Sequence, residues 1–170
     1  MTNEDPSQDQ IAAKAKRIRL LLMDCDGVMT DGRIYFSANG EEMKVFDVKD
    51  GEGLSQWNKA GFRSGVITGR DAEEILKKRC EELGIEFLRV RSKDKIRDLD
   101  DILASADVSY EETAYIGDDV GDIGIMDQVG FPAAVADAVE KVKQHAVYIT
   151  QKKGGRGAIR EVVEFLLASQ

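Results

Sequence analysis

Residues 18–32 read IRLLLMDCDGVMTDG. An apolar run from Ile18 to Met23, broken only by Arg19, is followed at once by Asp24, Cys25, Asp26 and Gly27. A short run closed by Asp and Gly fits a buried strand that stops where two carboxylates emerge. In open α/β sheets the strand ends are where ligands sit. Side chains alternate along an extended chain, so only Asp24 of the pair faces a crevice while the strand persists. Gly27 permits a sharp turn that brings Asp26 back over the same pocket. Like charges crowded in this way call for a metal or a proton to offset them. The competing reading is that Asp24 and Asp26 merely cap a loop.

Upstream, MTNEDPSQDQ is polar and acidic and does not read as a signal peptide. Residues 1–16 are expected to form a flexible tail, with a short helical lead-in over 10–16. Downstream, RIYFS (33–37) and MKVFDV (43–48) flank Asn39-Gly40, a strong hairpin signal because both residues tolerate positive φ. This hairpin is either a flap over the acidic loop or a cover for a sheet edge. Residues 49–53 then lead into a helix with Leu54 and Trp57 on its inner face, ended by Gly61.

Further strands are expected over 63–67, 86–90, 113–116, 131–135 and 147–149. Between them fall helices: one capped by Asp71 and running to Leu83, one carrying Ile96, Leu99, Ile102 and Leu103, a short one with Ile123, Ile125 and Met126, and one over 136–144. An amphipathic helix over 158–168 follows the basic glycine loop KKGGRG at 152–157. This alternation predicts an α/β fold, a doubly wound parallel sheet of Rossmann-like kind, with residues 17–170 as one domain.

The length of 170 residues allows one domain with a real core. A formal net charge of -8 argues against binding nucleic acid or an anionic membrane through the overall field. No stretch approaches the roughly 20 apolar residues of a membrane span. The two cysteines, Cys25 and Cys80, form neither a disulfide framework nor a metal motif, and fit a reducing cytoplasm. Cys25 lies between two acids that disfavour its thiolate, which excludes it as a nucleophile.

Chemistry gathers at the strand ends. The first offers Asp24 and Asp26, the second Thr68, the fourth Asp118, Asp119 and Asp122, and the loop after the third Lys93 and Lys95. Carboxylates with no suitable His or Cys partners suit Mg²⁺, which takes few protein ligands and leaves room for phosphate oxygen and water. A metal and a lysine together lower the repulsion between a carboxylate nucleophile and a phosphate dianion. The inventory therefore points to phosphoryl transfer, with a carboxylate available for covalent catalysis. No Walker loop is present.

DCDGVMTDG, VITGR, the Lys of SKDKI and YIGDDVGD, in that order, resemble the four motifs of the haloacid dehalogenase superfamily, over nearly the whole chain from Ile18. Together with DVKDGEG and the terminal GGRGAIREV, they most resemble its small phosphatases of 3-deoxy-D-manno-octulosonate 8-phosphate, which lack a cap domain. The resemblance implies that Asp24 is the nucleophile and forms an aspartyl-phosphate, while Asp26 protonates the leaving oxygen and then activates water. It implies that Thr68 binds the phosphoryl group and Lys95 neutralises it. Asp118 would bind Mg²⁺ with Asp24 and the backbone carbonyl of Asp26, and Asp122 would orient Lys95 or metal water. Asp119 is a weaker metal candidate, and Lys93 is the alternative to Lys95.

The same resemblance implies a homotetramer in which the hairpin and a neighbour's tail close the pocket. Arg70 suits a sugar carboxylate, against pairing with Asp71 or Glu74. Arg156 either reaches an adjacent subunit's site or is a solvated loop cation. Lys49 stands where the family usually has Arg, and an ammonium cannot reproduce a bidentate fork. His145 reads as a surface residue at a helix end, and Glu41-Glu42 and residues 98–101 as solvated acidic faces. The expected function is Mg²⁺-dependent hydrolysis of a phosphorylated acidic sugar. Alternatives are a nonulosonate 9-phosphate as substrate, or a receiver-like or interaction domain without catalysis. A receiver would carry its acceptor Asp after the third strand, where residues 86–91 offer none.

Overall fold

In the computed structural model, which describes residues 7–170, the apolar run forms β1 (Leu20–Met23), buried along its whole length. Each such buried leucine contributes about 2 kcal/mol relative to an exposed one. β1 pairs in parallel with β4 (Arg63–Ile67) on one side and β6 (Thr113–Gly117) on the other. β5 (Phe87–Arg89) adds outside β4, and β7 (Phe131–Ala134) and β8 (Tyr148–Ile149) add outside β6. The six-stranded order is β5-β4-β1-β6-β7-β8. The chain thus builds outward on one side of β1, then returns to build outward on the other, which is the doubly wound pattern.

The helices are α1 (Gln8–Ala15), α2 (Val48–Lys59), α3 (Glu73–Leu83), α4 (Lys95–Ala106), α5 (Ile123–Met126), α6 (Glu140–Lys143) and α7 (Ala158–Ala168). Of the tail expected over 1–16, residues 1–6 lie outside the described residues, and the lead-in helix begins at Gln8 under a Ser7 capping box. Trp57 of α2 is fully buried, stacks on Phe62 with centroids 4.3 Å apart, and donates its indole N–H to the Arg63 carbonyl at 2.8 Å. Among the described residues no helix is long and apolar enough to cross a membrane.

Five local expectations need correction. The hairpin pairs β2 (Tyr35–Ser37) with β3 (Gly40–Met43) around Ala38 and Asn39, and of the Asn39-Gly40 pair only Gly40 takes positive φ, at 108°. The second strand does not continue to Val48, because Lys44 turns inward and Asp47 caps α2, accepting from the Lys49 N–H at 2.7 Å. α2 therefore starts before Gly51 and Gly53 rather than after them. Those glycines sit inside the helix because neighbours come close: a Cβ at Gly53 would lie 3.0 Å from Arg160 Cα of α7, and one at Gly51 would strike the Arg79 guanidinium.

Asp71 does not cap α3, where Ala72 holds that position without a side-chain bond; its carboxylate pairs with Arg91 Nε at 2.9 Å. The helix expected over 136–144 shrinks to α6. Val139 is extended, at φ -63° and ψ 145°, with its N–H on the Asp118 carbonyl at 3.0 Å, so no helix can run through it and α6 starts at Glu140.

Candidate active site

β1 and β6 are neighbours at the point where the strand order reverses, so their carboxyl ends open the crevice. Asp24 leaves β1 with its N–H still bonded to the Ile116 carbonyl of β6 at 3.1 Å. Its Oδ1 accepts from the Cys25 N–H at 2.7 Å, and its Oδ2 lies 2.9 Å from Lys95 Nζ. The chain then wraps tightly through residues 25–29, with Gly27 at φ 90°. A Cβ at Gly27 would collide with the Asp118 carboxylate, so this glycine lets the two strand-end acids approach. The glycine loop before α7 backs the turn: Gly155 N–H donates to the Val28 carbonyl at 2.9 Å, and a Cβ at Gly154 would strike the Gly27 carbonyl.

Asp122 is held as an organiser. Its Oδ1 accepts from Tyr115 OH at 2.7 Å and Lys95 Nζ at 2.8 Å, and its Oδ2 from the backbone N–H groups of Asp118 and Asp119 at 2.9 and 3.2 Å. Burial pushes the Asp24 carboxyl up to about 6, with Lys95 opposing the rise. Burial, then the Asp122 and Asp24 charges, push Asp118 up to about 8. Burial works against the Lys95 ammonium, but the Asp122 and Asp24 carboxylates outweigh it and hold its pKa above the usual lysine range. Burial also raises the Cys25 thiol far above its ordinary value, which leaves it inert.

The donor chemistry fits a hard divalent cation. Oxygens of Asp24, Asp118 and Asp122 lie within 4.8 Å of one another. Asp118 Oδ1 is buried without a hydrogen-bond partner among the described residues, the kind of atom a cation would satisfy. Both oxygens of Asp122 and of Asp24 already meet donors, so Asp118 Oδ1 is the cluster oxygen that a cation would newly satisfy, with the Asp24 carboxylate beside it. Asp119 lies outside this cluster, exposed, its carboxylate accepting from the Val120 N–H at 2.7 Å. Lys95 rather than Lys93 meets Asp24.

The other expected residues divide. Thr68, 2% exposed, ends β4 beside the crevice. The Asp26 side chain turns away from the acid cluster toward Lys44, whose Nζ meets its Oδ1 at 2.5 Å. Arg70 lies 3.8 Å from Asp26 and bonds Glu41 at 3.2 Å, not Asp71 or Glu74. Lys49 and Arg156 line a separate cavity of about 400 Å³ with Lys152 and Arg160. Among the described residues no ion pair joins either cation to the acid cluster; Arg156 instead reaches Asp31 at 3.4 Å. His145 is partly exposed and pairs with Asp127 at 2.5 Å.

Sequence reasoning missed Lys44 and misread Glu41. The Lys44 side chain is 1% exposed and that of Glu41 5%, so neither is solvated. A lysine between Met43 and Val45, in a run otherwise read as strand, was the available signal. Tyr115, fully buried with its hydroxyl on Asp122, was also missed, because strand alternation alone does not say what a phenol will meet.

A family model for haloacid dehalogenase-like hydrolases matches residues 85–162. The 3-deoxy-D-manno-octulosonate 8-phosphate phosphatase of Escherichia coli K12 is 42% identical over 165 residues, covering 97% of this chain and 87% of the relative. The crystal structure of the phosphatase of that name from Yersinia pestis superposes with a TM-score of 0.93 at 43% identity, over 97% of this chain and 89% of its own. The one from Moraxella catarrhalis, in complex with magnesium, phosphate and the sugar acid, gives 0.92 at 36% identity, over 96% of this chain and 94% of its own.

Proposed function

This chain belongs to the haloacid dehalogenase-like hydrolases, and we propose that it is a Mg²⁺-dependent phosphatase of 3-deoxy-D-manno-octulosonate 8-phosphate. The observation that carries the reading is the convergence of Asp24 and Asp118 across the ends of β1 and β6, with Lys95 2.9 Å from Asp24. That arrangement gives a nucleophile, a metal face and a fixed ammonium in one crevice.

Asp24 attacks phosphorus, the ester P–O bond breaks, and Asp26 gives its proton to the departing sugar oxygen. Asp26 then takes a proton from water as that water attacks the aspartyl-phosphate, releasing orthophosphate and restoring Asp24. The Thr68 hydroxyl and the Lys95 ammonium hold phosphoryl oxygens through both steps. Asp122 and Tyr115 keep Lys95 aimed at Asp24 rather than at solvent. Mg²⁺, held by Asp24, Asp118 and the Asp26 carbonyl, lowers the repulsion between carboxylate and phosphate dianion.

Residues 17–170 act as one domain without a cap, the β2–β3 hairpin serving as flap. Arg70 receives the sugar carboxylate as a fork. The chain works in the cytoplasm as a homotetramer, a reading supported by the apolar residues the hairpin region exposes: Phe36 at 72%, Val48 at 83% and Met43 at 54%. In that assembly Lys49 and Arg156 serve the site of a neighbouring subunit. The test is phosphate release from the octulosonate 8-phosphate, nonulosonate 9-phosphates and hexose phosphates, with and without Mg²⁺. The octulosonate ester should win and need the metal; a clear win for hexose phosphates overturns the acidic-sugar reading. Sedimentation checks the tetramer.

A further inference from the structure

Lys44 leaves the hairpin and turns beneath it, its side chain 1% exposed. Its ammonium donates to Asp26 Oδ1 at 2.5 Å and to Glu41 Oε1 at 2.7 Å. Glu41 passes its other oxygen to Arg70, at 3.2 Å from Nη2 and 3.3 Å from Nε. Burying an ammonium is costly unless its partners are well placed, and removing one partner strands the others. Here the partners belong to different parts of the fold: Asp26 to the loop after β1, Glu41 to the flap, Arg70 to the loop after β4.

Lys44 is the side-chain donor that hydrogen-bonds the Asp26 carboxylate. The other oxygen, Oδ2, is buried and without a hydrogen-bond partner among the described residues, with Arg70 Nε 3.8 Å away. One oxygen is pinned by a hydrogen bond, and the other has only the Arg70 guanidinium at ion-pair distance. We propose that Lys44 is a positioning residue for catalysis: it pins Asp26 by Oδ1 so that Oδ2 gives and then takes the proton. This rests on the reading of Asp26 as acid and base. A lysine that only fastened the flap to the body would have no bearing on proton delivery.

Leaving-group dependence separates the two roles. A sugar alkoxide needs a proton as it departs, whereas p-nitrophenolate leaves without one. Asp26→Asn is expected to lower kcat about 1000-fold on the sugar phosphate and under about 10-fold on p-nitrophenyl phosphate. Lys44→Met should show the same selectivity, about 100-fold against under about 10-fold, with KM for the sugar phosphate nearly unchanged. Lys44→Arg keeps a cation against Glu41 but shifts the donor. It should recover part of the loss, leaving about a 10-fold selective deficit. Equal losses on both substrates for Lys44→Met overturn the proposal. If that variant does not fold, Lys44→Arg decides alone: a selective deficit supports the proposal, and equal or no loss overturns it. If Asp26→Asn is itself unselective, the reading of Asp26 fails first and takes the proposal with it.

Discussion

The two ends of the crevice are built differently. At the phosphate end, Asp24, Asp118 and Thr68 step off strands buried on both faces, and Lys95 begins a helix whose cap, Asp94, accepts from the Ile96 and Arg97 amides. At the sugar end, Lys44 and Glu41 ride on a two-stranded hairpin that stands apart from the main sheet and leaves its apolar side chains uncovered. On the function proposed, chemistry is held by elements the core cannot give up, and recognition by elements that an ion-pair network ties down. A change at the first end should cost turnover; at the second, a change at Arg70 should cost affinity or discrimination, while one at Lys44 should still cost turnover because it acts through Asp26.

The sharpest way to break this contrast is Asp24→Asn. Removing the proposed nucleophile is expected to lower kcat by about 10⁴-fold or more, with an unchanged thermal midpoint or a slightly raised one, because burial already disfavours the ionised Asp24 carboxylate and Lys95 keeps Asp122 as its partner. A near-wild-type rate would end the covalent mechanism. Gly27→Ala comes next. The added methyl meets the Asp118 carboxylate at a backbone φ of 90°, so both the acid pair and the turn must shift. We expect about 100-fold loss of kcat and a destabilisation of about 2–3 kcal/mol, read by denaturant titration.

Arg70→Ala tests the other end. It should raise KM for the acidic sugar phosphate about 10- to 100-fold through loss of a charge-assisted fork, with a much smaller effect on kcat. p-Nitrophenyl phosphate, which has no carboxylate, should be turned over nearly as before. A fall in kcat on both substrates instead would move Arg70 to the phosphate end and blur the division.

The phosphate end was also the legible one. An apolar run that stops at Asp-x-Asp-Gly, or at Gly-Asp-Asp, states locally where a strand ends and what faces the crevice, so β1, β4, β6 and α7 fall where periodicity puts them. The sugar end is decided at long range. Lys44 is buried because Asp26 lies 18 positions earlier in the chain, and no window around residue 44 contains that fact. Gly51 and Gly53 look like helix breakers, yet they are helical because Arg79 and Arg160 arrive from elsewhere. Asp71 has the right residue type for a cap, but Arg91 competes for it. The four strand-end motifs are local devices, while the flap network exists only once the sheet has formed.

The smallest effect belongs to the joint between the ends. Asp50 of α2 is 3% exposed and accepts from the Gly157 N–H at 3.1 Å and the Arg160 N–H at 2.8 Å, fixing the glycine loop that backs Gly27. Burial lifts its carboxyl from 3.8 to about 6, although the amides from Arg160 and Gly157 oppose the rise. The folded protein therefore holds this proton more tightly than the unfolded chain does. Its contribution is full below about pH 4 and is lost as pH rises through about 6. Asp50→Asn removes the titration, so its stability should be flatter across that window, and its deficit against wild type largest near pH 4 and smallest near pH 7. The gap should close by about 5–10 °C in thermal midpoint. A gap that widens toward neutral pH would mean that the ionised carboxylate, not the protonated one, is what the α7 amides favour.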